Sequence, residues 1–367
     1  MGANEAWASF RERVGALSRA PASEGLSGGA SERVKSGSRE DRTVVPAGRR
    51  AGRGACAPTR PATPRAAAVA ARGGAPIESR SRSEEAPVAR WFFTNDLHGQ
   101  TALYEQALSL AAQHAPRALI VGGDLAPHAT GNEGVRHQRL FFEGFLVEFA
   151  RRLAEAAPGI ELLFVMGNDD WAANEDVLER HHGVLWRLLH GRVHHVDGVP
   201  VAGLPWVPIT PFAIKDWERW EDGAEESPPR LDGWTSRGGG PLVRTALDPA
   251  RRAPTIAGAL DEIAALGDPG ATVLVSHSPP RDTHCDAIGA RAHVGSRAVR
   301  AYVERHRPPL VLSGHIHESP RVTGAWRDAI GPTAVVNPGQ FGAARLCGVW
   351  FDPADPAGTL RHTVYGG

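Results

Sequence analysis

The 367-residue chain balances 41 Lys+Arg against 41 Asp+Glu and carries three cysteines, which allows a large buried core but argues against a disulfide framework or a structural zinc site. The charge is uneven along the chain: residues 1–90 hold 16 basic and 9 acidic side chains, the remainder 25 and 32. A mildly acidic body argues against a nucleic-acid partner, and no apolar run reaches the roughly 18 residues that a membrane-spanning helix needs.

Residues 1–87 are rich in Ala, Gly, Ser, Arg and Pro. Such a composition buries too little apolar area to offset chain entropy, so a disordered extension is expected there, ahead of one globular domain over 88–367. The opening MGANEAWASFRERVG lacks the apolar stretch of a secretory signal. Cys56, Cys285 and Cys347 stand far apart, and a reducing, cytoplasmic setting is expected.

From residue 88 onward, strand, loop and helix alternate. Short apolar runs at 88–94, 118–121 and 160–166 read as buried strands, and helical spacing over 101–114 and 133–157 places helices between them. The segment 203–245 breaks this rhythm. It is rich in Gly and Pro and holds four of the ten tryptophans (Trp206, Trp217, Trp220 and Trp234), and is read as a lid or a wall on the substrate side, able to recruit a protein partner. Further strands are expected at 272–275, 310–312, 333–336 and 348–351.

Polar clusters close five of these strands: Asp96-Leu97-His98, Gly123-Asp124, Gly167-Asn168-Asp169-Asp170, Ser276-His277-Ser278 and Gly314-His315-Ile316-His317. The carboxyl ends of buried strands are where α/β sheets place ligand sites. Taken singly, Asp96 could cap a helix, Asp124 and Asn168 could serve turns, and His277 could be a packed imidazole. Together they supply carboxylates, an amide and imidazoles, a mixture that suits Mn, Fe, Zn or Co better than Mg or Ca, with Mn favoured.

In their order and type these motifs resemble those of the calcineurin-like metallophosphoesterases, over roughly residues 90–350. The resemblance implies a four-layer α/β/β/α sandwich of two mixed β-sheets flanked by helices. It also implies two divalent metal ions, one held by Asp96, His98 and His317, the other by Asn168, His277 and His315, with Asp124 bridging. A metal-bridging hydroxide would attack a small phosphate-ester substrate in line, which makes the chain a phosphoester hydrolase, a phosphodiesterase more than a monoesterase. The chain departs from the family at Asp169, where a histidine usually protonates the leaving group. An ionised Asp there cannot donate a proton, so His284 and His293, which follow the His277 cluster closely, are candidate replacements. The alternative reading is a weakly active or inactive metal-binding scaffold of the same fold, with the Trp-rich segment recruiting a partner.

Overall fold

The computed structural model describes residues 90–222, 228–238 and 241–366; the extension expected over 1–87 lies outside them. β1 (Trp91–Thr94) shows how the sheets are built, because its alternate side chains enter two different cores. Trp91 and Phe93 pack with Ile120 of β2 (Ala118–Gly122) and with Leu163 and Val165 of β3 (Glu161–Val165). Phe92 packs instead with Leu119, Val121, Leu162 and Phe164. A strand buried on both faces reads as an unbroken apolar run and needs a covering layer on each side.

Those layers follow from the topology. One six-stranded sheet runs β16 (Arg361–His362), β15 (Gly348–Phe351), β1, β2, β3 and β4 (Arg187–Leu188), parallel from β1 to β4 and antiparallel at β15 and β16. The other runs β13 (Arg327–Ile330), β14 (Thr333–Val336), β12 (Leu310–Ser313), β9 (Val273–Ser276), β6 (Val199–Leu204) and β5 (Val193–Val196). Its four central strands are parallel and its two edges antiparallel. The sheets face each other through Trp91, Phe93, Ile120, Val273, Val275, Leu310 and Leu312.

Helices α1 (Thr101–His114), α3 (Val147–Ala156) and α4 (Glu175–Arg180) share the outer core of the first sheet, and α2 (Gly131–Leu140) precedes α3 in the chain. Helices α5 (Ile256–Ala264) and α6 (Arg297–His306) share that of the second. The result is a mixed α/β sandwich with layers in the order α/β/β/α. The helix expected over 133–157 begins at Gly131 and is interrupted by a π-helical turn, Phe141–Leu146. The wider turn keeps Phe141, Phe142 and Leu146 all buried. Phe141 and Phe145 stack, and both lie against Tyr104 of α1.

In the segment 203–245, read from its composition as a lid or a wall on the substrate side, the tryptophans largely pack inward. Leu204 ends β6 inside the sheet, and Trp217 and Trp220 are buried, leaving Trp234 the most exposed of the four at 43%. The hairpin β7 (Asp232–Thr235) and β8 (Val243–Ala246) sits on this segment, with Lys215 and Trp234 bonded through their backbones. Phe212 packs with Ile288, Val294 and Ile316.

Candidate metal centre

The loops that end β1, β2, β3, β9 and β12 converge, and their backbone is strained. Asp96, His98, Asp124 and His315 all have left-handed φ, at 51°, 44°, 50° and 61°. Non-glycine residues adopt that region at a cost, and such outliers gather where function holds them. At His315 the cause is visible: Ile316 N–H donates to Gly314 O at 2.6 Å, closing a three-residue γ-turn. Asn337 secures the turn by donating its amide to the carbonyls of Gly314, Ile316 and Cys285.

Carboxylates and imidazoles crowd into the space these turns enclose. Asp96, Asp124 and His277, all buried, offer ligand atoms within 4.8 Å of one another. Asp124 is central: Oδ1 lies 3.5 Å from His277 Nε2, and Oδ2 lies 3.7 Å from His98 Nε2. His277 donates through Nδ1–H to Gly122 O (2.8 Å) and turns Nε2 to Asn168 Oδ1 at 3.2 Å. The His277 and His315 rings are 5.3 Å apart and the His98 and His317 rings 6.0 Å apart. All seven sequence-derived ligand candidates therefore meet around Asp124, in two groups of imidazoles.

The electrostatics show a place built for positive charge. Burial disfavours the charged form of His98, yet Asp169, Asp124 and Asp96 outweigh it and hold the imidazole up at about 10. For His277 burial is likewise outweighed, mainly by Asp124, and the value rises to about 9. Burial, helped by the charge of His277, pushes His315 down to about 3, so its nitrogens stay free of added protons. Asp124 is held below the ordinary carboxylate range: His277 and His98 overcome the opposing effect of burial. A buried carboxylate cluster that retains protons on its imidazoles above neutrality would accept cations in their place, and this donor set fits divalent transition metals.

Glycines make the approach possible. A Cβ on Gly167 would run into the Asp124 carboxylate and into His277 Nε2 (2.5 Å), and one on Gly314 would meet Asp96 Oδ2 at 2.7 Å. Gly123, at φ 109°, lies flat against the His277 ring. Gly123→Ala is expected to push His277 away, costing about 1–3 kcal/mol of stability and lowering metal content. Thermal unfolding and elemental analysis of the variant would check both.

Neighbouring side chains lock the loops together. Asp170 accepts hydrogen bonds from the backbone N–H of Leu125, Ala126 and Gly167 at 2.9–3.0 Å. Trp217 Nε1 donates to Asp170 O, and Asp216 accepts from Ala172 N–H, so the 203–222 segment braces the Asn168 loop. His190 accepts from Met166 N–H and meets Glu175 at 2.7 Å. These supports join residues far apart in sequence, and no motif announces them.

The candidates for proton transfer fall apart differently. Asp169 sits beside the cluster, its Oδ2 3.2 Å from His98 Nδ1. The structure does not bring His284 to the cluster: its side chain is 60% exposed and faces Asp328 at 3.6 Å. His293, on the hairpin β10 (Ala287–Ile288) and β11 (Ala292–His293), is bound to Asp286 at 2.7 Å. Each is paired with a carboxylate of its own outside the cluster. The imidazole that does meet Asp169 is His128, which contacts both carboxylate oxygens at 2.7 and 2.8 Å. It was legible only as a histidine four residues after Asp124.

No curated protein matches the chain significantly. Among solved structures, TT1561 of Thermus thermophilus is similar at 19% identity and a TM-score of 0.46, over 75% of this chain and 98% of that one. A dimetal phosphatase from Danio rerio is similar at 12% identity and a TM-score of 0.44, over 72% and 93%. The profile of the calcineurin-like phosphoesterases matches residues 89–319, a span that includes every residue of the cluster, and the chain belongs to that family of metal-dependent phosphoester hydrolases.

Proposed function

We propose that the protein hydrolyses small phosphate esters, diesters in preference to monoesters, with two divalent ions held at the strand ends. The observation that carries this reading is the convergence of Asp96, Asp124 and His277 within 4.8 Å. Asp96, His98 and His317 would hold one ion and Asn168, His277 and His315 the other, with Asp124 between them. When bound, such ions neutralise charge on the phosphoryl oxygens and lower the pKa of water to supply the nucleophile. Mn is the ion we favour, from the mixed oxygen and imidazole donors.

The chain's own residues support the preference for diesters. Asp169 is buried beside His98 and held below the ordinary carboxylate range, since His128 and His98 outweigh the effect of burial. A carboxylate stands there where the family carries an imidazole, which would weaken attraction for the dianion of a monoester more than for the monoanion of a diester. The strained turns at Asp96, Asp124 and His315 keep the ligands in place before substrate arrives, which reduces reorganisation during reaction. Cys285 and Cys347 are buried free thiols, in keeping with a reducing, cytoplasmic setting, and among the described residues no helix is long and apolar enough to cross a membrane.

The test is turnover of bis-aryl phosphate and aryl phosphate by the full chain with Mn, beside a His277→Ala control. Diester cleavage that exceeds monoester cleavage and vanishes in the control is expected. Silence on both substrates with two ions bound per chain would favour the second reading, a metal-binding scaffold that recruits a partner, for which Asp169 in place of the usual proton donor is the one supporting observation.

A further inference from the structure

The family's usual proton donor is replaced by Asp169, and the structure presents a different imidazole at that carboxylate. His128 lies on the loop after β2, and its Nδ1 meets both Asp169 oxygens, at 2.7 and 2.8 Å. Two buried side chains pin that loop on either side of it. Gln138 of α2, fully buried, donates its amide to Pro127 O (3.1 Å) and to Asp169 O (2.8 Å). Trp171 donates its indole N–H to Ala129 O at 2.9 Å. Gln138 thus ties the His128 loop to the Asp169 loop, and its Oε1 accepts from Trp171 N–H at 2.8 Å.

The backbone on either side of His128 is thereby held by buried side chains. The side chain itself is 66% exposed, and among the described residues no partner is seen for Nε2. Asp169 in turn lies 3.2 Å from the candidate ligand His98, so a single carboxylate separates His128 from the cluster. A phosphoryl group must turn its oxygens to the buried ligand cluster, which leaves the ester's departing oxygen facing the open rim. His128 is an exposed imidazole that a single carboxylate separates from the cluster.

We propose that His128 is the catalytic proton donor to the leaving group, oriented by Asp169 as its positioning residue. The inference rests on the phosphoesterase reading above. In the step, a water oxygen bonds to phosphorus and the bond from phosphorus to the departing oxygen breaks, its electron pair going to that oxygen. The departing oxygen takes the proton from His128 Nε2, directly or through one water. The attacking water gives up one proton to solvent, and the neutral imidazole regains one from solvent before the next turnover.

A donor of this kind matters in proportion to how poor the leaving group is. His128→Gln is expected to lower kcat on an alkyl phosphodiester about 100-fold and on a bis(nitrophenyl) ester about threefold, with KM and bound metal unchanged. Placing Asp169→His in the His128→Gln background returns an imidazole to the neighbouring position and is expected to recover much of the alkyl activity. His128→Asn, with its unfolding temperature measured alongside, guards against a folding defect in the first variant. Equal losses on both esters, or none on the alkyl ester, would overturn the assignment. Wild-type protein that binds two ions and cleaves neither ester would count against the phosphoesterase reading itself.

Discussion

Asp124→Asn is expected to lower turnover about a thousandfold, roughly 4 kcal/mol of barrier, and to reduce the bound ions from two per chain to at most one. Asparagine has nearly the same shape and tolerates the left-handed φ of 50° found here. Its amide oxygen can also keep the 2.8 Å hydrogen bond that Asp124 Oδ1 accepts from Asp169 N–H. The fold should therefore stand, with an unfolding temperature close to wild type. What disappears is the negative charge between His98 and His277, and with it the group able to separate two adjacent cations. Elemental analysis and steady-state kinetics on the purified variant check the two parts separately. Two bound ions and near wild-type turnover would remove Asp124 from the bridging position.

The second large effect concerns stability. Lys215 and Glu218 form an ion pair of 2.6 Å with neither side chain exposed, and Lys215 Nζ also donates to Thr210 O at 2.8 Å. Glu218 is further bonded to the hydroxyl and the N–H of Thr210. Glu218→Ala leaves the ammonium buried without its counter-charge, and about 3–5 kcal/mol of stability is expected to be lost at pH 8. Replacing both residues, Lys215→Met with Glu218→Leu, should cost far less, since no charge remains to desolvate. Urea unfolding of the two singles and the double decides the matter: a double as unstable as Glu218→Ala would mean that packing, and not charge, holds this segment.

The same pair has a pH signature. Burial raises the Glu218 carboxyl from 4.5 to about 7, against the opposing pull of Lys215 and Thr210. The folded chain then binds this proton more tightly than the unfolded chain. Its contribution to stability is complete below pH 4.5 and is lost as pH rises through 7. Glu218→Gln should flatten that part of the stability profile. Because Asp216 and Trp217 lie between the paired residues and brace the Asn168 loop, the single variants are also expected to bind metal more weakly.

The central strands and the site were legible in the sequence for one reason. Parallel strands buried on both faces appear as short apolar runs, and each of the five key runs ends in residues that packing does not require. The runs at 118–121, 310–312 and 333–336 lie within a residue of the observed strands. The hairpin of β5 and β6 is marked by Asp197-Gly198, with φ of 50° and 84°, a strong turn signal outweighed by the Pro and Gly that surround it. Taking 203 as the start of an excursion cut into β6 for that reason. Helices α5 and α6 also carry their signals, since Thr255 and Ser296 cap them through their hydroxyls.

Other features had no local trace. His128 meets Asp169 across 41 residues, and nothing in either neighbourhood names the other. His284 and His293 looked favourable because they follow His277 closely in the chain. In the structure each faces a carboxylate instead, Asp328 for His284 and Asp286 for His293. The tryptophans of 203–222 suggested a surface, yet three-dimensional packing spends Trp217 on the Asp170 carbonyl.

The ligand candidates divide between the two sheets: Asp96, His98, Asp124 and Asn168 follow strands of the first, and His277, His315 and His317 follow strands of the second. Asp96 accepts from His315 N–H across 219 residues. During synthesis the chain therefore exposes an acidic half-site long before the imidazoles that complete it have emerged. Closing a loop of that length is a late and slow event in folding. A chain that ends before residue 277 would lack His277, His315 and His317. It is expected to bind metal no better than an isolated acidic loop, which elemental analysis of such a truncation would check.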